Sequence, residues 1–77
     1  MINYVEKVFL VTYDPVKSTD DGIRVFTNLK EAEEFAADIT KSLKTIADID
    51  TLDVDHGHRA QYYASFDKGK KVEDGYY

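Results

Sequence analysis

The hydrophobic period of residues 28–46, NLKEAEEFAADITKSLKTI, restricts the fold more than any other feature of the chain. Its apolar residues recur at steps of three and four, which places them on one stripe of an α-helix. Asn28 suits the N-cap, and Glu31 stands where a capping box has its acidic residue. Because one amphipathic helix cannot fold alone, the segment predicts a helix packed on a sheet. The stripe consists of Leu29, Ala32, Phe35, Ala36, Ile39, Leu43 and Ile46.

Two strands are predicted before this helix. Residues 5–13, VEKVFLVTY, are rich in β-branched and aromatic side chains, and their consecutive apolar residues indicate cover on both faces. We therefore place this strand in the centre of the sheet, ended by Asp14 and Pro15. Residues 23–27, IRVFT, alternate and predict a second strand paired with the first.

The chain after the helix predicts a hairpin. Residues 48–55, DIDTLDVD, would place Leu52 and Val54 on the covered face and Asp53 and Asp55 on an acidic outer face. A turn at residues 56–58, HGH, leads into an alternating strand over residues 59–67, RAQYYASFD. The core face of that strand is predicted to hold Ala60, Tyr62, Ala64 and Phe66.

The predicted fold is one α+β domain over residues 1–77. A single helix packs on a mostly antiparallel sheet in the order β-β-α-β-β, and residues 71–77 either add a short fifth strand or fray. Phe35 and Ile39 are expected to be buried at the contact between helix and sheet.

Composition narrows the classes of function. The chain has 77 residues, no cysteine and a net charge of −5, which disfavours direct binding to nucleic acid or to an anionic membrane. No apolar run approaches the ~20 residues of a membrane-spanning helix, and no signal-peptide pattern opens the chain. We expect a soluble, cytoplasmic protein.

No pattern in the sequence indicates catalysis or a cofactor. The serines lack a nucleophile-elbow context, and the carboxylates fall mostly on predicted outer faces, so the chain is expected not to be an enzyme. His56 and His58, together with Asp53 and Asp55, could form a metal site at the hairpin. A polar hairpin tip with solvated histidines explains the same residues, and we expect no metal to bind.

The acidic residues are concentrated in one part of the chain. Residues 31–55 hold eight acidic and two basic residues, whereas residues 1–30 are neutral. Glu34 and Asp38 are i, i+4 neighbours on the helix, about 5–6 Å apart at Cβ, a spacing close to that of neighbouring phosphates on a nucleic-acid strand. A solvated acidic surface remains the alternative.

Tyrosine is the second candidate for binding chemistry. The chain has six tyrosines, and Tyr63 lies on the outer face of its predicted strand. Exposed tyrosine suits protein interfaces, but it also covers the second face of a sheet that has only one helix. Either way, such a face favours a homodimer.

In size, fold pattern and charge, the chain resembles the small acidic proteins that bacteriophages make to disable host factors. Some of those imitate DNA and occupy the basic groove of a nucleic-acid-binding protein. The resemblance implies a non-enzymatic binding module that blocks a basic partner, in the host cytoplasm if the chain is phage-encoded. The alternatives are a homodimeric assembly protein and a metal-binding protein at His56 and His58. The expected partner-binding residues are Glu33, Glu34, Asp38, Asp50, Asp53, Asp55 and Tyr63.

Overall fold

The computed structural model describes residues 7–16, 19–54 and 58–76, with only the backbone of residues 58–61. These residues form five strands and one helix. No helix among them is long and apolar enough to cross a bilayer. The elements are β1 (Lys7–Tyr13), β2 (Ile23–Phe26), α1 (Leu29–Leu43), β3 (Ile46–Asp53), β4 (His58–Asp67) and β5 (Lys70–Tyr76).

The strands form one sheet in the order β2-β1-β3-β4-β5, and every neighbouring pair is antiparallel. This confirms an α+β fold with one helix on an antiparallel sheet. The first strand is an interior strand, but β3 and not β1 lies in the centre. The order β-β-α-β-β is wrong because it stops at four strands. β5 is a seven-residue strand that extends the sheet beyond β4.

The helix begins as its sequence predicts but ends earlier. The Asn28 side chain accepts a hydrogen bond of 3.1 Å from the backbone N–H of Glu31, which confirms the N-cap. Lys44 then adopts a left-handed conformation, with φ of 54° and ψ of 47°, and closes the helix. The prediction that Ile46 belongs to the helix stripe is therefore wrong. Ile46 is the first residue of β3, and 57% of its surface is exposed.

The helix packs closely because alanines line the centre of its stripe. Ala32 and Ala36 are fully buried against the sheet, whereas Phe35 and Ile39 are only half-buried at the flanks. Phe35 fills its flank by contacting aromatic rings of β1 and β2 at centroid distances of 5.4–5.6 Å. The sheet contributes Val11, Tyr13, Ala47, Ile49, Ala64 and Phe66 to this core.

β3 has the opposite phase to the predicted one. Its buried residues are Ala47, Ile49, Thr51 and Asp53, so Asp53 points to the helix side of the sheet and is 9% exposed. The predicted outer position of Asp53 is therefore wrong. The predicted core positions of Leu52 and Val54 are also wrong, because Leu52 faces away from the helix and Val54 lies after the end of the strand and is 47% exposed. The strand begins at Ile46, and strict alternation from there fixes every later residue. Asp55 lies outside the described residues.

A buried threonine joins the helix to the turn between β4 and β5. The hydroxyl of Thr40 donates to the carbonyl of Ala36 at 2.7 Å and accepts from the N–H of Gly69 at 2.8 Å. Gly69 has φ of +88°, and a Cβ there would lie 3.1 Å from that of Lys41, so any other residue would be strained at this position. This bond secures the C-terminal hairpin against α1.

We expect Thr40→Val to destabilise the fold by about 1–3 kcal/mol, because the Gly69 N–H would lose its acceptor in a nearly dry site. Thr40→Ser keeps the hydroxyl and is the matched control, with a smaller loss from its missing methyl group. Urea unfolding measures both variants. Equal stability of the valine and wild-type chains would show that this bond contributes nothing.

A second polar contact closes the loop between β1 and β2. The Tyr13 hydroxyl donates a short hydrogen bond to Asp20, whose carboxylate also accepts from the N–H of Gly22 at 3.1 Å. The bond to Tyr13 lowers the pKa of Asp20 below its usual value, and the same bond raises the pKa of Tyr13. The contact therefore requires an ionised aspartate and a protonated tyrosine.

This contact should make loop stability depend on pH at both extremes. Because the pKa of Asp20 is lower in the folded chain than the 3.8 of an unfolded chain, ionised Asp20 stabilises the fold above pH 3.8. That stabilisation is lost as the pH falls through the lowered pKa. The raised tyrosine pKa gives stability that is lost above pH 10. Tyr13→Phe should therefore unfold more readily than wild type between pH 5 and pH 9, as thermal melts would measure, with a difference that shrinks below about pH 3. A difference that is independent of pH would contradict this.

Candidate functional site

The acidic residues on the helix do not form a strongly charged surface. Glu34 and Asp38 are exposed on the side of α1 that faces solvent, as predicted. Lys30 and Lys41 are exposed on the same side, four residues before Glu34 and three residues after Asp38. The lysines offset the carboxylates, so this surface carries little net charge.

Glu33 takes part in a contact between the helix and the sheet. Its carboxylate lies 3.0 Å from the ammonium of Lys71 on β5, and that ammonium also donates to the Tyr62 hydroxyl at 3.2 Å. The hydrogen bond to Glu33 is the main cause of the raised pKa of Lys71. Because Glu33 already neutralises a lysine of the same chain, it is a poor candidate for binding a partner.

No helix of the described residues packs on the opposite side of the sheet, and we call it the helix-free face. The strand registers align its residues in two rows that cross all five strands. Predicted site residues Asp50 and Tyr63 lie on this face as direct neighbours in one row. The first row is Val25, Leu10, Asp50, Tyr63 and Gly75; the second is Ile23, Thr12, Asp48, Ser65 and Glu73.

The centre of this face forms a polar depression of about 210 Å³. The hydroxyl of Ser65 donates to the carboxylate of Asp48 across the β3–β4 pair at 2.6 Å and so fixes its orientation. We call the five residues that contribute polar side chains to this depression the central patch. They are Thr12, Asp48, Asp50, Tyr63 and Ser65.

Tyr63 lies over the backbone of the last strand. A Cβ placed on Gly75 would come within 2.8 Å of the Tyr63 hydroxyl and 3.0 Å of its ring. Glycine at this position therefore gives the ring room to lie against β5, as aromatic residues often do beside glycines in sheets. The ring forms the wall of the central patch on the β5 side.

The acidic excess of the described strands lies on this face. Asp48, Asp50, Asp67 and Glu73 occupy it by their register, against Lys70 and the register position of Arg59, which pairs with Leu52. Asp48 and Asp50 are two residues apart on one strand, so their Cβ atoms repeat at about 6.6 Å. Asp48 and Ser65 were not among the predicted binding residues. The correct phase of β3 would have placed Asp48 beside Asp50 on one face, because the two residues are at positions i and i+2.

An apolar strip borders the acidic centre. Ile23 and Val25 on β2 are about half exposed, at 47% and 54%, and Leu10 on β1 separates Val25 from Asp50. Carboxylates, a phenol and aliphatic side chains thus lie side by side. The depression is smaller than the roughly 300–1,000 Å³ of ordinary ligand pockets, so the face fits a macromolecular surface better than a small substrate.

Most residues of the predicted metal site are not among the residues that the structure describes. His56 is not among the described residues, and of His58 only the backbone is described. Among the residues described, no group of three or more histidine, cysteine, aspartate or glutamate side chains could hold a metal ion.

Comparison with known proteins gives no relative: no family model matches the chain, and neither the curated proteins nor the solved structures contain a significant match.

The packing of Tyr63 on Gly75 can be tested by a double-mutant cycle. Gly75→Ala should cost about 1–3 kcal/mol in the wild-type chain, because the methyl group would displace the ring. In a Tyr63→Ala background the same substitution should cost much less, because the clash is gone. Urea unfolding of the four proteins gives the coupling energy. Equal costs in both backgrounds would show that the ring does not occupy this position.

Proposed function

We propose that the chain is a non-enzymatic binding module that docks its helix-free face on a basic protein. The observation that supports this most is the arrangement of two neighbouring carboxylates, Asp48 and Asp50, beside an apolar strip on a sheet face with no helix. A cationic side chain would bind the carboxylates while neighbouring aliphatic groups pack on the strip.

The chemistry of the face favours arginine or lysine on the partner. Arginine is enriched at protein interfaces and binds carboxylates through two hydrogen bonds. The bond from Ser65 holds Asp48 ready for such a contact, which reduces the entropy lost on binding. Tyr63 adds an aromatic surface next to Asp50, and a guanidinium can stack on such a ring.

A finer proposal concerns the kind of partner. Carboxylates spaced at about 6.6 Å along a strand are comparable with successive phosphates of a nucleic acid, so a groove built for nucleic acid would accept them. The resemblance to the small acidic inhibitor proteins that bacteriophages make supports the same kind of partner. On this basis the module would occupy the nucleic-acid site of its partner and block it.

The proposal can be tested with two variants that change the net charge equally. Asp48→Lys/Asp50→Lys reverses the central patch, and Glu34→Lys/Asp38→Lys reverses the exposed helix surface. Each immobilised protein is incubated with a bacterial lysate at low salt and then eluted at rising salt. We expect the wild type and the helix variant to retain one basic nucleic-acid-binding protein that the sheet variant loses.

Elution should be steep with salt, because charge attraction is screened within a Debye length of ~8–10 Å at moderate ionic strength. The captured protein, once purified, should release a labelled DNA duplex when the wild-type chain is added. Thermal melts confirm that both variants are folded. Equal capture by all three proteins, or loss only in the helix variant, would contradict the choice of face.

A further inference from the structure

β5 is a long edge strand of the sheet. Its one neighbour in the sheet is β4, and six of its seven residues are exposed. The N–H and C=O groups on the outer side of an edge strand can pair with another strand. The opposite edge, β2, is only four residues long. β5 is therefore the more extensive surface for strand pairing.

The charges along β5 are arranged in two halves. Lys70 and Lys71 come first, Val72 lies between, and Glu73 and Asp74 follow. When two copies of the strand run antiparallel, the basic half of one lies opposite the acidic half of the other. Such opposite charges across a strand pair are favourable, whereas charges of one sign on an edge strand would repel a second copy.

Each face of the sheet carries one of these bases and one of these acids. Lys71 and Asp74 are on the helix side, where their charged groups lie 3.5 Å apart within one chain. Register pairs Lys70 with Asp67 and Glu73 with Ser65, which places both on the helix-free face. The β4–β5 register shifts beside Val72, so the two charge pairs would need different registers with a second copy. The register that sets Lys70 opposite Glu73 of the second copy brings opposite charges together on the helix-free face.

We propose that two copies of the chain associate through β5 to form a continuous ten-stranded antiparallel sheet. The two-fold axis would be perpendicular to the sheet and pass close to Val72, whose side chain is 62% exposed. Both helices would then lie on one side and both helix-free faces on the other. A seven-residue contact is smaller than the interfaces of permanent dimers, so the dimer is expected to depend on concentration. The inference rests on β5 alone and is independent of the proposed function.

The test uses residues of the helix-free face, because Lys71 also holds α1 through Glu33. Lys70→Glu and Glu73→Lys each place like charges opposite one another in a homodimer. Analytical ultracentrifugation over a concentration series should show dimers of wild type and about tenfold weaker association of each variant. An equimolar mixture of the two variants should recover association, because the charges are complementary again. The double variant Lys70→Glu/Glu73→Lys should also recover it.

Three results would overturn the proposal. The first is a wild-type chain that stays monomeric at all concentrations. The second is association that neither single reversal weakens, or that the mixture fails to recover. The third is a dimer that Asp48→Lys/Asp50→Lys abolishes while the β5 variants retain it, because the contact would then lie on the helix-free face.

Discussion

The packing of one helix on a five-stranded sheet is the constraint on which the rest of the structure depends. A single helix of 15 residues can bury only one face of the sheet, and it does so closely because Ala32 and Ala36 allow its backbone to approach β1 and β3. No described helix or strand covers the other face, so its side chains must suit contact with water. Its mixture of carboxylates, hydroxyls and half-exposed aliphatic groups follows from that requirement.

The helix was predictable because its signals are local. A 3.6-residue period and an Asn28 cap depend on neighbouring residues only. The end of the helix was not, because Lys44 takes the left-handed conformation that glycine usually provides. Nothing in the sequence marks this residue as a terminator.

That one misplaced end accounts for the error in the candidate site. With Ile46 assigned to the helix, β3 appeared to begin at Asp48, and both phases of DIDTLDVD offer apolar residues for the core. Asp53 then exchanges sides with Asp48 and Asp50, because residues two apart on a strand share a face. Tyr63 was placed correctly because β4 alternates cleanly, whereas its neighbour Gly75 depends on strand register, which sequence alone does not fix.

The proposed docking on the helix-free face and the proposed pairing through β5 use different parts of the sheet, so the two contacts would be compatible in one assembly. Pairing through β5 would place two central patches on one continuous surface, related by a two-fold axis. A partner that presents basic groups repeatedly, as a nucleic-acid groove does, could then bind both patches, and the second contact would form within the complex at a high effective concentration. Two patches that each bind weakly would then give a higher overall affinity, provided that their spacing matches that of the partner's basic groups.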